Sequence, residues 1–179
     1  AEALRKLQHE WLPKRYPDRR VLGVIRPVVE EAVKATKGRI GVVGTRATIS
    51  SHAYTRELKK LNPDVTVIEH ACPLLVPLIE EGWAGKPETK RILRYYIRPL
   101  QQKVDTLILG CTHYPLLKNT LRKVLGAKVK LVDSAEEIAL DVRRLLEKSD
   151  ALNVGPRQPT HQFLVSDEPS HFQKLAKRF

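Results

Sequence analysis

Methionine is absent from all 179 residues, cysteine occurs twice, and aromatic residues make up 6% of the chain. With no initiator methionine, the sequence reads as a fragment whose native start lies upstream. Two cysteines do not make a disulfide scaffold and point to a reducing cytoplasm. No apolar run approaches the roughly 20 residues that a membrane helix needs. The opening AEALRKLQHEW lacks the apolar core of a signal peptide. A cytoplasmic chain with no membrane partner is expected. His9, His52, His70, His161 and His171 show no metal-ligand spacing with each other or with the cysteines, so no metal site is expected. GVVGTRAT has neither the lysine nor the glycine spacing of a phosphate-binding loop.

Acidic residues are also scarce. Lys and Arg outnumber Asp and Glu by 32 to 20, which gives a net charge of +12. Such a surplus raises nucleic acid as a partner. The charges are spread along the chain, however, from Lys14 and Arg19 through Lys59 and Lys90 to Arg143. No arginine-rich or aromatic-interleaved tract stands out, so they read as solvated helix faces and nucleic acid is not expected.

What the sequence does contain is alternation. Ala3–Trp11 has helical spacing, and a loop holding Pro13 and Tyr16 follows. Strands are expected at Val21–Ile25, Arg39–Val43, Val65–Glu69, Thr106–Leu109 and Lys128–Val132, with a further one at His161–Val165. Helices are expected from Pro27 to Thr36, Thr48 to Leu61, Pro87 to Gln102, after Ser134, and from Ser166 or Asp167 to Phe179, and Ala71–Val76 is expected to turn into a short helix ending near Gly82. Ser134-x-x-Glu137 has the form of a capping box, and Ala135, Ile138, Ala139, Val142, Leu145 and Leu146 form an apolar stripe behind it. Strand and helix in turn imply an α/β fold, a parallel sheet flanked by helices on both faces.

Val104–Leu117, VDTLILGCTHYPLL, organises the rest. Leu107, Ile108 and Leu109 read as a buried strand, Gly110 as the residue of a sharp turn, and Pro115 as the start of a helix. Cys111, Thr112 and His113 then lie at the carboxyl end of a strand, where ligands bind in open α/β sheets. A helix N-terminus there favours the thiolate, and an imidazole two residues away can take its proton. Thr45 and Thr48, in GTRAT, occupy a second strand-to-helix turn. They could hold a carboxylate with hydroxyl and N–H groups, although Thr48 as a plain N-cap fits equally well.

LILGCTHYPLL resembles the second cysteine motif of bacterial glutamate racemases, in the aspartate/glutamate racemase superfamily. RIGVVGTRATISSHAY (Arg39–Tyr54), ACPLLVPLIEEGW (Ala71–Trp83) and LVDSAEEIA (Leu131–Ala139) resemble further blocks in the same order, and VLGVIRP (Val21–Pro27) resembles the block before them. The resemblance implies cofactor-independent interconversion of L- and D-glutamate by two thiols, supplying D-glutamate for peptidoglycan. Cys111 would be one thiol, assisted by His113 and Glu80. Thr112, His113, Thr45 and Thr48 would bind substrate. No pyridoxal phosphate or metal is implied, and the full enzyme would be a homodimer. The family's first catalytic Cys sits in a Cys-Asn-Thr turn, which this sequence lacks. Cys72, in the Cys-Pro motif, is expected to be structural, so the chain alone should be inactive. In the family's two-domain architecture, residues 25–141 would be the second domain, while 1–24 and 142–179 would be remnants of the first. An aspartate racemase, a basic nucleic-acid-binding module and a single-thiol hydrolase or redox domain remain as rivals.

Overall fold

The structure, a computed structural model, describes residue 4 and residues 6–155, 158, 160–167 and 169–177. A π-helical stretch at Leu7–Trp11 runs into helix α1 (Leu12–Arg15). There follow α2 (Ile25–Ala35), β1 (Arg39–Gly44), α3 (Arg46–Ser50), α4 (Ala53–Leu61), β2 (Thr66–Ala71), α5 (Leu75–Glu80), α6 (Pro87–Ile97) and β3 (Thr106–Leu109). A 3-10 turn at Tyr114–Leu117 leads into α7 (Lys118–Leu125), then β4 (Lys130–Asp133), α8 (Ser134–Lys148) and α9 (Pro169–Ala176). Among the described residues no helix is long and apolar enough to cross a membrane.

The four strands form one sheet in the order β2-β1-β3-β4, and every neighbouring pair is parallel. Both faces are covered, which is why TLIL carries no polar alternation. Leu107 and Leu109 point into a core built with Leu75, Ile79, Leu93, Ile97 and Leu117 from α5, α6 and the 3-10 turn. Ile108 points the other way, to Val28, Val29 and Ala32 of α2 and Leu58 of α4. Each of these fully buried Val, Leu and Ile side chains contributes about 1.5–3 kcal/mol.

At the foot of the sheet Asp105 ties two strands together. Its carboxylate accepts from Thr36 Oγ1 (2.6 Å), Thr106 Oγ1 (3.0 Å), Lys37 N (3.1 Å) and Arg39 N (3.1 Å). Burial opposes ionisation there, but these donors outweigh it and hold the carboxyl below its ordinary range.

Several local expectations are corrected. Val21–Ile25 forms no strand. Its carbonyl at Val21 accepts from Gln8 Nε2 (2.5 Å) instead, and the helix begins at Ile25, two residues before Pro27. Pro13 lies inside the first turn of α1 rather than in a loop, a position that needs no N–H. The helix expected over 48–61 is two helices, broken at His52, which adopts φ 48°. His161–Val165 is exposed coil, with Phe163 75% and Leu164 81% exposed. The cap of α8 is Asp133, whose side chain accepts from Glu136 N, and Ser134 is already helical. The stripe on α8 is half open to solvent, with Leu145 and Leu146 exposed. Residues 1–3, 5, 178 and 179, at the ends of the first and last expected helices, lie outside the described residues.

Candidate active site

The chain leaves β1 toward β2, then returns to β3 on the other side of β1, with the connecting helices on opposite faces. The connections therefore diverge between the carboxyl ends of β1 and β3, the reversal at which open α/β sheets bind ligands. The GTRAT turn follows β1 and the GCTHYP turn follows β3, so the fold brings the two candidate turns side by side.

Gly110 is required there for space, not for conformation. Its φ is not positive, but a Cβ would lie 3.0 Å from the Tyr54 ring and 3.0 Å from Val43 O. Gly110 N also donates to Val43 O at 2.8 Å. Gly44 is similar: a Cβ would meet Thr48 Cγ2 at 3.1 Å.

The residue after this close approach is Cys111, half-buried, with its thiol free. No α-helix starts behind it. The 3-10 turn intervenes, with Pro115 in its opening positions. Burial pushes the thiol above its ordinary 9.0, against the backbone N–H groups of His113 and Tyr114, which favour the thiolate, and with Glu80, which disfavours it. The expectation of a thiol lowered by a helix N-terminus is thus corrected: desolvation wins.

His113 joins the group. Its Nδ1 lies 3.8 Å from Cys111 Sγ and 3.4 Å from Thr112 Oγ1, while its Nε2 lies 3.0 Å from Glu80 Oε1. Glu80 closes α5, a different element from the Cys111 turn, and folding alone makes the pair. With Nε2–H donated to the carboxylate, Nδ1 is left as an acceptor facing the sulfur. Glu80, His113 and Cys111 thus stand in line, the carboxylate against one ring nitrogen and the thiol near the other, the arrangement that a base acting on a thiol would need.

Across the reversal, Thr45 is the N-cap of α3. Its Oγ1 accepts from Thr48 N (3.3 Å) and lies 3.0 Å from Thr48 Oγ1. The expected cap at Thr48 is therefore corrected by three residues. Both hydroxyls stand at the carboxyl end of β1.

Cys72 is fully buried, and burial pushes its thiol up to about 12. Its Sγ faces His70 O at 3.8 Å, and its carbonyl accepts from the buried Tyr114 hydroxyl at 3.0 Å. Such a thiol is inert near neutral pH. Sequence reasoning overlooked Tyr54, which is buried, packs on Gly110, and has its phenol pushed up to about 12, first by burial and then by Cys111. It also overlooked the ion pair of Lys118 with the buried Asp133. Neither carries a local signal, since each partner lies far along the chain.

The model of the family described as Asp/Glu/Hydantoin racemase matches residues 16–141. A glutamate racemase of Geobacter metallireducens is 46% identical over 161 residues, covering 89% of this chain and 60% of that protein. Among solved structures, glutamate racemase isoform RacE1 of Bacillus anthracis superposes with a TM-score of 0.84 at 36% identity, covering 92% of this chain and 62% of that one. The glutamate racemase of Francisella tularensis, solved with D-glutamate, gives 0.78 at 32%, covering 86% and 57%. The chain spans about 60% of the length of the curated relatives it matches. Sequence and fold agree that it belongs to the Asp/Glu/Hydantoin racemase family.

Proposed function

We propose that these residues form the part of a glutamate racemase that carries one of its two acid/base thiols. The relay Glu80–His113–Cys111 at the strand reversal is the observation that carries this reading. Racemisation at Cα removes a proton from one face and returns one to the other, so each face needs a positioned, desolvated acid or base. Cys111 serves one face, and His113, held by Glu80, takes or returns the thiol proton. Thr112, Thr45 and Thr48 offer hydroxyls to the substrate carboxylates. The substrate is glutamate, and the product D-glutamate serves peptidoglycan synthesis, in the cytoplasm and in a homodimeric enzyme.

Cys72 is fully buried with its thiol against His70 O and is unfit to exchange a proton near neutral pH, so the partner thiol comes from outside the 179 residues. Residues 25–141 then act as one domain, with 1–24 and 142–179 completing another. The exposed Leu145, Leu146, Phe163 and Leu164 support that division as apolar surface in need of cover.

Two incubations with L-glutamate in deuterated water test this reading. The 179-residue chain should exchange no Cα proton at an enzymic rate. A protein extended upstream to include a second thiol should racemise glutamate, and should lose at least about a thousandfold in the Cys111→Ala form. Turnover of tens per second by the short chain would refute the two-thiol reading. Full activity of the extended Cys111→Ala protein would refute the assignment of Cys111. Faster exchange with aspartate would refute the substrate.

A further inference from the structure

The basic residues that look scattered in the sequence are gathered by the fold. Residues 86–130 hold 11 Lys and Arg, with Glu88 and Asp105 as their only acids. Asp105 is already engaged by backbone and threonine donors at the foot of the sheet. Of the 11, Lys118 alone makes an ion pair among the described residues.

Helix α6 arranges part of this surplus. Thr89, Leu93, Tyr96 and Ile97 form its buried face. At 100° per residue, Arg91, Arg94, Tyr95 and Arg98 fall on the opposite side and are exposed, Tyr95 by 76%. Arg91 and Arg98 lie about 10 Å apart along the axis. Gln101 Nε2 donates to Val124 O at 3.0 Å, joining the end of α6 to the end of α7, where Arg122 and Lys123 are exposed. The exposed end of α7 thus adjoins the end of the arginine stripe. Cations at helix C-termini complement the helix dipole, which accounts for Arg98 and Lys123 singly. It leaves Arg91, in mid-helix, without a role, and the face of Tyr95 beside it stays open to solvent although its ring meets Tyr96 edge-on at 5.9 Å between centroids.

We propose that the outer face of α6, with the adjoining end of α7, binds single-stranded nucleic acid. Arginines spaced along one stripe suit successive phosphates, and an exposed aromatic among them offers a base a stacking platform. A membrane surface is less well served, since the apolar face of α6 is already spent in the core and one tyrosine is left to insert. The surface runs to the amino ends of the strands, whereas Cys111 lies beyond their carboxyl ends, so a bound strand would leave the thiol site open.

Fluorescence anisotropy of a labelled 20-nucleotide oligothymidine with the chain tests this. With four phosphate contacts, affinity should fall about 50-fold between 50 and 200 mM salt. Arg91→Glu/Arg94→Glu/Arg98→Glu should weaken binding by at least about thirtyfold with an unchanged circular dichroism spectrum. Arg19→Glu/Arg20→Glu/Lys34→Glu, which removes the same charge elsewhere, should weaken it less than about threefold. Tyr95→Ala should cost about tenfold on oligothymidine and leave inorganic polyphosphate binding unchanged. An equal loss in the two triple variants would reduce the effect to net charge and overturn the proposal. So would the absence of binding at micromolar protein, or tighter binding to phosphatidylserine vesicles than to the oligonucleotide.

Discussion

Asp105→Asn should destabilise the chain by about 2 kcal/mol at pH 7. The substitution keeps the shape and one acceptor oxygen but replaces the other with an NH2. Four donors now converge on the carboxylate, from Thr36, Lys37, Arg39 and Thr106. At least one would then face another donor. Hydrogen bonds to a charged group contribute about 1.5–3 kcal/mol each, but these share one partly exposed group and do not add. The sign with pH follows from the shift. The folded carboxyl is held below its ordinary 3.8, so its contribution is fully present above about pH 4 and is lost as pH falls through the lower, folded value. Urea denaturation of the parent and the variant at pH 7 and at successive steps down to pH 2.5 would measure both effects. The expected gap of about 2 kcal/mol, roughly 4–8 °C in Tm, should narrow at the acid end. A gap under about 0.5 kcal/mol at pH 7, or one that stays constant with pH, would refute the reasoning. Because the bonds join the start of β1 to the start of β3, the same experiment probes what aligns the strands that flank the site.

Gly110→Ala should cost about 1–3 kcal/mol, because the new methyl meets a backbone oxygen that the sheet holds in place; chemical denaturation would measure it. Iodoacetamide should place one adduct on the native chain, at Cys111, with a rate that rises toward alkaline pH because burial holds that thiol up. Mass spectrometry finding a second adduct at Cys72 before unfolding would contradict its burial. Lys118→Met leaves the carboxylate of Asp133 without its counter-charge. About 2–3 kcal/mol should be lost at neutral pH in a urea titration, and the gap should narrow as pH falls toward the depressed pKa of the Asp133 carboxyl.

The strand-turn at Thr106–His113 was legible because a short apolar run, a glycine and a proline all mark the same boundary. The pairing of His113 with Glu80 could be suspected but not read, since 33 residues separate them and only the packing of α5 beside the 3-10 turn makes them neighbours. The thiol's direction was misjudged for a related reason: a helix end is visible in sequence, whereas the desolvation that overrides it comes from a core assembled from distant parts of the chain, α5 and α6 among them. Capping went wrong by one residue at Asp133 and by three at Thr45, because Asp-Ser and Thr-x-x-Thr offer two caps each and the strand's exit decides between them. Val21–Ile25 has the composition of a strand, but strands exist only in pairs, and no neighbour is present among the described residues.

The peptide unit of Cys72 has a consequence that its sulfur does not. Its N–H donates to Gly44 O at 2.8 Å, and its carbonyl accepts from Tyr114. One residue thereby fastens the end of β1, the approach to α5 and the 3-10 turn behind Cys111. The three parts of the site share a single joint, so none can swing open without loading the others. Rigidity here is bought with main-chain bonds, and the side chain at position 72 adds only its volume and a long contact with His70 O.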